Sequence, residues 1–513
     1  MTTFGFSVFL LLIAVISSFV LKRSKNAARR PLPPGPIGLP ILGYLPFLGD
    51  NLQEKFAELA DAYGPIYKLW LGRKLYVVVS SPALVKEIVR EKDLEFANRD
   101  PNIAARILSY GGKDIAFANY GSYWRTMRKL FVKEVMSTRS LEACYDLRLQ
   151  TVRKSVSEVY QMVGSPIDIG ELALRTMIGS VITMLWGISI GREKGDSVNS
   201  EFKTVMVKLM ELVSKPNVSD FFPVLSRLDL QGIARQAREV NLRFDRFLDS
   251  IIRSATEGEA RRLSDHPNRD QRKDLLQLLL ALEIENEDGT PRTASNNQEI
   301  KGILMDIVIG GTDTTAAMVE WVMAELLHHK DAMEKVMEQL TEVVGVNSMV
   351  QEHCLPKLKY LEAVVKETFR LHPALPLVVP RSPDSSCVVG GYTIPKGSTV
   401  FLNAAYIHTD PKLWDKPLDF VPERFLEDPS EYDFSGNNFV YLPFGSGRRI
   451  CPGLPLAEKM LMFMLANFLH SFHWELPEGT ELEFSNNVGI VSKKSRPLVV
   501  IPRPRLMDQE LYK

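Results

Sequence analysis

Helical and extended patterning alternate along the chain. The segment LQEKFAELADAYG (52–64) spaces its apolar side chains three and four positions apart and stops at Gly64-Pro65, which predicts a helix. IYKLWLGRKLYVVVSS then reads as two short strands turning through Gly72-Arg73. From Pro82 to about Leu371 the spacing is mostly helical. It is interrupted by NRDPN (98–102), KPNVSDFFP (215–223) and EGEARRLSDHPNRDQRK (257–273), the last expected as a solvated surface connection. From Val388, VVGGYTIPKGSTVFLNAAY switches to apolar alternation broken by Gly391 and Pro395-Lys396-Gly397, which predicts β-hairpins. A long apolar helix returns over 454–469. No repeat of fixed period and no linker divides this body, so the pattern predicts a single domain, mainly α with small β-sheets.

The first residues differ from the rest. Residues 4–21, FGFSVFLLLIAVISSFVL, form an uncharged run of 18 residues, which would span roughly 27 Å as a helix and cross a bilayer. A cleaved signal peptide has a shorter apolar region and a cationic flank, which the preceding MTT lacks. Lys22, Arg23, Lys25, Arg29 and Arg30 follow the run and predict that the remaining mass faces the cytosol. PLPPGPIGLP (31–40) cannot continue a helix and suits a stiff, extended connector. The expected organisation is a membrane anchor at 1–21, a basic and Pro-rich connector at 22–43, and a body at 44–513.

The 62 basic and 62 acidic side chains of the 513 residues cancel, which argues against nucleic acid as a partner. Four cysteines, Cys144, Cys354, Cys387 and Cys451, lie far apart without a C-x-x-C pair, which argues against a disulfide framework and a Cys-rich zinc site. The first three read as small buried hydrophobes. Asn217-Val218-Ser219 is a glycosylation triplet that a cytosolic face would leave unmodified.

Cys451 sits in FGSGRRICPG (444–453), with Phe444, Gly447, Arg449, Cys451 and Gly453 in the spacing F-x-x-G-x-R-x-C-x-G. Gly447 permits a turn with positive φ, and Gly453 lets the chain approach a planar ring. The apolar, helix-forming residues that follow, with Pro452 near a first turn, would aim main-chain N–H groups and a helix dipole at the sulfur and favour its thiolate. A thiolate of this kind can hold haem iron, and Arg449 can pair with a propionate. The segment resembles the haem-binding signature of the cytochrome P-450 monooxygenases; without that likeness, a Gly-rich turn around a buried cysteine is the alternative.

Further motifs follow the order of that family. In DIVIGGTDTTAAMVEW (306–321), Gly310 and Gly311 are poor helix formers inside an apolar helix, and the Thr314 hydroxyl can bond the Gly310 carbonyl and open a groove. A plain kink would use the same residues, but the segment resembles the family's oxygen-activating helix, where Asp313 and Thr314 would relay protons. Glu367 and Arg370, three apart, suit an ordinary surface pair; the resemblance implies a buried network with Arg424 of Pro422-Glu423-Arg424-Phe425 that braces the cysteine loop. Trp124 and Arg128, one turn apart, suit simple stacking or, by resemblance, a propionate clamp, with Arg381 of LVVPRSP as another propionate ligand.

The resemblance covers nearly the whole chain and looks most like plant-type microsomal members. It implies a cytochrome P-450 fold behind an anchor, haem b (iron protoporphyrin IX), and insertion of one O2 atom into substrate. It also implies the endoplasmic reticulum membrane as location. No Rossmann fingerprint, P-loop or flavin segment is present, so electrons are expected from a membrane-bound NADPH-cytochrome P-450 reductase. The apolar stretches ALPLVV (374–379) and VGIV (488–491) suit a neutral lipophilic substrate; among such substrates the resemblance places a sesquiterpene ahead of a flavonoid or other phenylpropanoid. Asp306 is the one acid that could face that cavity, or else a partner to the side. Two rivals remain at this level: a reductase-independent isomerase or dehydratase, which has no need of Asp313-Thr314, and a non-enzymatic carrier of haem or lipid, which has no use for the helix glycines.

Overall fold

The computed structural model describes residues 31–49, 51–190, 195–265, 275–280, 283–285, 291–293, 297–428 and 430–513. The expected anchor and the basic stretch 22–30 lie outside the described residues. Helix α1 (Leu52–Tyr63) starts where the Asn51 side chain accepts from the N–H groups of Gln53 and Glu54, and ends at Gly64. Strands β1 (Ile66–Leu71) and β2 (Lys74–Val79) form the expected hairpin, with Leu71 opposite Lys74. Residues 31–43 do not stand off as a spacer. Lys68 N–H donates to the Pro34 carbonyl at 2.8 Å, Gly43 bridges Leu71, and Thr393 N–H donates to Pro31, so the segment lies along the sheet edge.

The body is mainly helical. Helices α2 (Ser122–Leu130), α3 (Ile169–Ile190), α4 (Gly195–Ser214) and α5 (Ile233–Asp265) precede a 32-residue helix α6 (Asn297–His328), with α7 (Lys359–Leu371) and α8 (Leu454–Ser471) following. Most of α6 from Ile300 to Leu326 is buried, packed against α3, α7 and α8. It is the one described helix long and apolar enough to cross a membrane, and its burial makes it a core helix here. Gly302 permits one close approach: a Cβ there would meet the Lys113 carbonyl at 2.4 Å, so the loop 113–118 rests on α6.

Two expectations change. Helix α5 continues to Asp265, through half of the stretch read as a surface connection, because Glu, Ala, Arg and Leu sustain a helix even where the sequence is highly charged. Of the predicted hairpins, 387–389 pairs with 392–394, whereas β3 (Thr399–Leu402) runs parallel beside β2, with Val400 opposite Val77. Cys144 and Cys354 are buried as expected, but Cys387 is half-buried on its hairpin. Asn217 is buried and its side chain accepts from Ser219 N–H, so the triplet is closed to a glycan by packing as well.

Candidate active site

The cysteine loop is built from its own main chain and two neighbours. Cys451 N–H donates to the Phe444 carbonyl at 3.0 Å, closing the loop, and the Phe444 ring packs on Phe369 of α7 and on Phe434. Gly447 has φ +70°, and a Cβ there would sit 2.5 Å from the Val89 carbonyl, so the turn requires glycine. Gly453 immediately precedes α8, 3.8 Å from the Cys451 sulfur by its would-be Cβ. The first-turn proline of α8 is Pro455, not Pro452. Burial raises the Cys451 thiol above its usual value, while the Gly453 N–H, the Arg128 cation and the Leu454 N–H pull it back. The N-terminus of α8 therefore points its donors at the sulfur, as the sequence suggests.

Around this loop four guanidinium groups converge. Arg449 is buried and gives its Nε to the Ala97 carbonyl at 2.6 Å, Nη1 to Ile115 at 3.1 Å and Nη2 to Ala118 at 2.5 Å, while lying 4.3 Å over Trp124. Trp124 Nε1 donates to the same Ile115 carbonyl at 2.9 Å, and Arg128 reaches the Ile450 carbonyl at 2.6 Å. Arg381 is set by a main-chain bridge to Val400 of β3, donates to the Ser446 carbonyl at 2.7 Å and pairs with Asp93 at 3.3 Å. Arg99 donates to the carbonyls of Val379 and Pro380, and its Nε is buried without a partner.

These cations depress one another. Burial first, then Arg381 and Arg128, bring Arg449 down to about 9; burial brings Arg381 to about 10; and burial followed by Arg449, Arg381 and Arg128 lowers Arg99 well below its usual value. The bonds of Arg99, Arg128 and Arg449 go to neutral carbonyls, and the one carboxylate bonded in the cluster, Asp93, serves Arg381 and Arg448. A buried cationic cluster with an orphaned donor, next to a sulfur aimed at by N–H groups, fits a flat cofactor whose iron takes a thiolate and whose edge carries two carboxylates. Arg99 was missed from the sequence, where NRDPN reads only as a helix break.

Helix α6, which packs on α8, is locally open around Gly310. Thr314 Oγ1 donates to the Gly310 carbonyl at 2.7 Å, and Gly310 is exposed in the middle of an otherwise buried helix, with nothing within 4 Å of its would-be Cβ. That exposure marks open space within the fold. Asp313 forms an ion pair with Lys493. Asp306 turns to the side: its carboxylate accepts from the N–H groups of Ile115 and Ala116, and burial and Asp114 raise it well above the usual carboxylate range.

Glu367 and Arg370 are both fully buried and make a two-point pair at 2.7 and 2.8 Å, with Arg424 Nε at 3.2 Å and Val421 N–H at 2.8 Å on the same carboxylate. Arg370 also donates to the carbonyls of His408, Pro417 and Asp419. The spacing of three therefore marks an internal brace here and not a surface pair.

The family model for Cytochrome P450 matches residues 33–501. A flavonoid 3'-monooxygenase of Crocosmia x crocosmiiflora is 37% identical over 505 residues, 97% of each chain, and one of Petunia hybrida is 36% identical over 515 residues, 98% of each. The 3,9-dihydroxypterocarpan 6A-monooxygenase of Glycine max is 36% identical over 503 residues, again 97% of each. A solved zebra fish cytochrome P450 with abiraterone matches with a TM-score of 0.71 at 26% identity, over 89% of this chain and all of its own.

Proposed function

Because the chain belongs to the cytochrome P450 family and is a haem-thiolate monooxygenase, we propose that its substrate is a flavonoid or a closely related phenolic, with Cys451 as the residue that would hold the iron of haem b. The observation that carries the substrate reading is the naming of relatives at 36–37% identity across 97–98% of the chain as flavonoid monooxygenases. It favours the flavonoid alternative over the sesquiterpene that the family likeness first placed ahead, since uncharged walls suit both classes. A monooxygenase assignment leaves the isomerase and carrier readings without support.

When bound, haem supplies the activation of O2 by which one oxygen atom enters the substrate and the other leaves as water. The chain's own residues do the rest of the work. Burial raises the Cys451 thiol, and the Gly453 N–H, the Arg128 cation and the Leu454 N–H offset part of that rise, so they would favour the thiolate when iron is bound. Arg99, Arg128, Arg381 and Arg449, with Trp124 beside them, would hold the propionates, which would neutralise an otherwise self-repelling cluster. Gly310 leaves room beside Thr314, whose hydroxyl is oriented by the Gly310 carbonyl and passes a proton in concert with Asp313.

Electrons come from an NADPH-dependent reductase docking on the cysteine side, where Arg125, Lys129, Lys133 and Arg139 are exposed on and beyond α2. The body sits on the cytosolic face of the endoplasmic reticulum membrane. Ile37, Leu39, Ile41, Trp70, Val224 and Leu228 are exposed, and Arg73 N–H donates to the Phe221 carbonyl, joining the β1–β2 turn to the segment that leads into Val224 and Leu228; these side chains would meet the membrane. The substrate reading is tested by titrating the purified holoprotein with a flavonoid panel and a sesquiterpene panel, following the spectral shift of the haem and then product with NADPH and reductase. Flavonoids are expected to give both. A sesquiterpene that gives shift and product where no flavonoid does overturns the reading.

A further inference from the structure

The acid on the oxygen-side helix is held from a distant element. Strands β4 (Asn486–Val488) and β5 (Ser492–Lys494) form a short hairpin whose second strand lies along α6. Three consecutive residues of β5 grip that helix. Ser492 accepts from Trp321 Nε1 at 3.3 Å, Lys494 lies 4.8 Å over the Trp321 ring, and Lys493 pairs with Asp313. Asp313 is buried, whereas the Lys493 side chain is 45% exposed, so the pair runs from solvent to the interior beside Thr314. The turn of the same hairpin rests on two other segments. Ile490 N–H donates to Ser214 Oγ at the end of α4, and Ser492 N–H donates to the carbonyl of Ala374, the first residue of the apolar ALPLVV stretch.

A buried carboxylate that is to pass protons needs a fixed orientation and a compensating charge, or it turns away or neutralises. Lys493 supplies both from outside the helix. We propose that Lys493 is a positioning residue for proton delivery: it fixes Asp313 beside Thr314 from the hairpin that packs against Ser214 and Ala374. The inference rests on Asp313 and Thr314 handling protons, as argued above, and adds a residue that no signature of the family spacing contains.

The test uses the full-length holoenzyme reconstituted with a NADPH-dependent reductase, as wild type, Lys493→Met, Lys493→Arg, Asp313→Asn and the double variant Asp313→Asn/Lys493→Met. The readout is the share of NADPH electrons recovered as hydrogen peroxide, one NADPH and one proton per O2, against the route to two waters, two NADPH and two protons per O2, and, with substrate present, against oxygenated product plus one water, one NADPH and one proton per O2. It is measured without substrate and with a flavonoid that wild type turns over. Lys493→Met is expected to raise the peroxide share about threefold, with substrate affinity unchanged within about twofold and Lys493→Arg close to wild type. In the Asp313→Asn background the Lys493→Met change is expected to add nothing, because the two act through one pair. A wild-type peroxide share in Lys493→Met, a further rise in the double variant, or failure of Arg to restore coupling overturns the inference. If wild type turns over no flavonoid, the substrate reading fails, and the substrate-free arm still decides the role of Lys493.

Discussion

Glu367→Gln is the sharpest perturbation of the internal brace. The carboxylate accepts from Arg370 Nε and Nη2, from Arg424 Nε and from Val421 N–H, and both Glu367 and Arg370 are fully buried. Gln keeps one acceptor oxygen but removes the charge, leaving the Arg370 guanidinium in the core with neutral partners alone, the amide oxygen and the His408, Pro417 and Asp419 carbonyls. Removing one member of a buried pair costs about 3–5 kcal/mol, out of a total stability of about 5–15 kcal/mol for a folded domain. The loss should therefore lower the folded-to-unfolded ratio by about 10²–10⁴, and with it the yield of holoprotein. The assay is urea unfolding of the purified holoprotein, together with yield measured by the carbon monoxide difference spectrum. Lys335→Gln is the control, since Lys335 and Glu423 pair at 2.6 Å but are nearly half exposed, and such a pair is worth about 0–1 kcal/mol. A Glu367→Gln protein that unfolds at the same urea concentration as Lys335→Gln would refute the reasoning.

Three further perturbations probe the site. Gly447→Ala places a Cβ 2.5 Å from the Val89 carbonyl at φ +70°, and should lower the holoprotein melting temperature and haem retention by a strain of roughly 1–3 kcal/mol. Arg99→Gln should speed haem transfer to a haem-scavenging protein about tenfold while leaving the apoprotein as stable or more so, because an orphaned buried cation is lost. Asp114 is pushed up to about 7, first by burial, above the usual carboxylate value of about 4, so the folded state binds the proton more tightly than the unfolded chain. Stability should therefore fall as pH rises from roughly 4 to 7, and Asp114→Asn, which keeps the acceptor for Phe117 N–H, should flatten that fall in melting experiments across the range.

What the sequence made legible is what short-range spacing dictates. The stop of α1 at Gly64, the β1–β2 hairpin through Gly72 and the start of α8 after Gly453 are each written within a few residues. The bond from Thr314 to the Gly310 carbonyl follows from a spacing of four, and that from Cys451 N–H to Phe444 closes a loop whose glycines announce it. Failures came where the pattern was right but the partner lay elsewhere. Alternation around Thr399 correctly indicated a strand, yet its partner is β2, more than 300 residues earlier, and not the neighbouring hairpin. In 31–40 the prolines correctly excluded a helix, but docking on Lys68 and Thr393 is a property of the sheet edge.

The same distinction explains which of the residues gathered around Cys451 and Thr314 stand out in the sequence. Trp124, Arg128, Arg381, Arg449 and Cys451 stand in motifs whose residue types are unusual together, whereas Arg99 and Lys493 stand in segments that read as ordinary breaks and solvated hairpins. What gives each its significance is a tertiary approach. Arg99 becomes an orphaned donor only because 379–380 folds across it and three other guanidinium groups gather behind it. Lys493 becomes a partner of Asp313 only because β5 lies along α6, 180 residues away in sequence. A cationic cluster that repels itself and a buried acid held by a half-exposed lysine both hold electrostatic tension across separate elements. Asp93 and Asp114 relieve the first in part, and the carboxylates of a bound cofactor would relieve it further, so haem binding should raise the melting temperature of wild type more than that of Arg99→Gln.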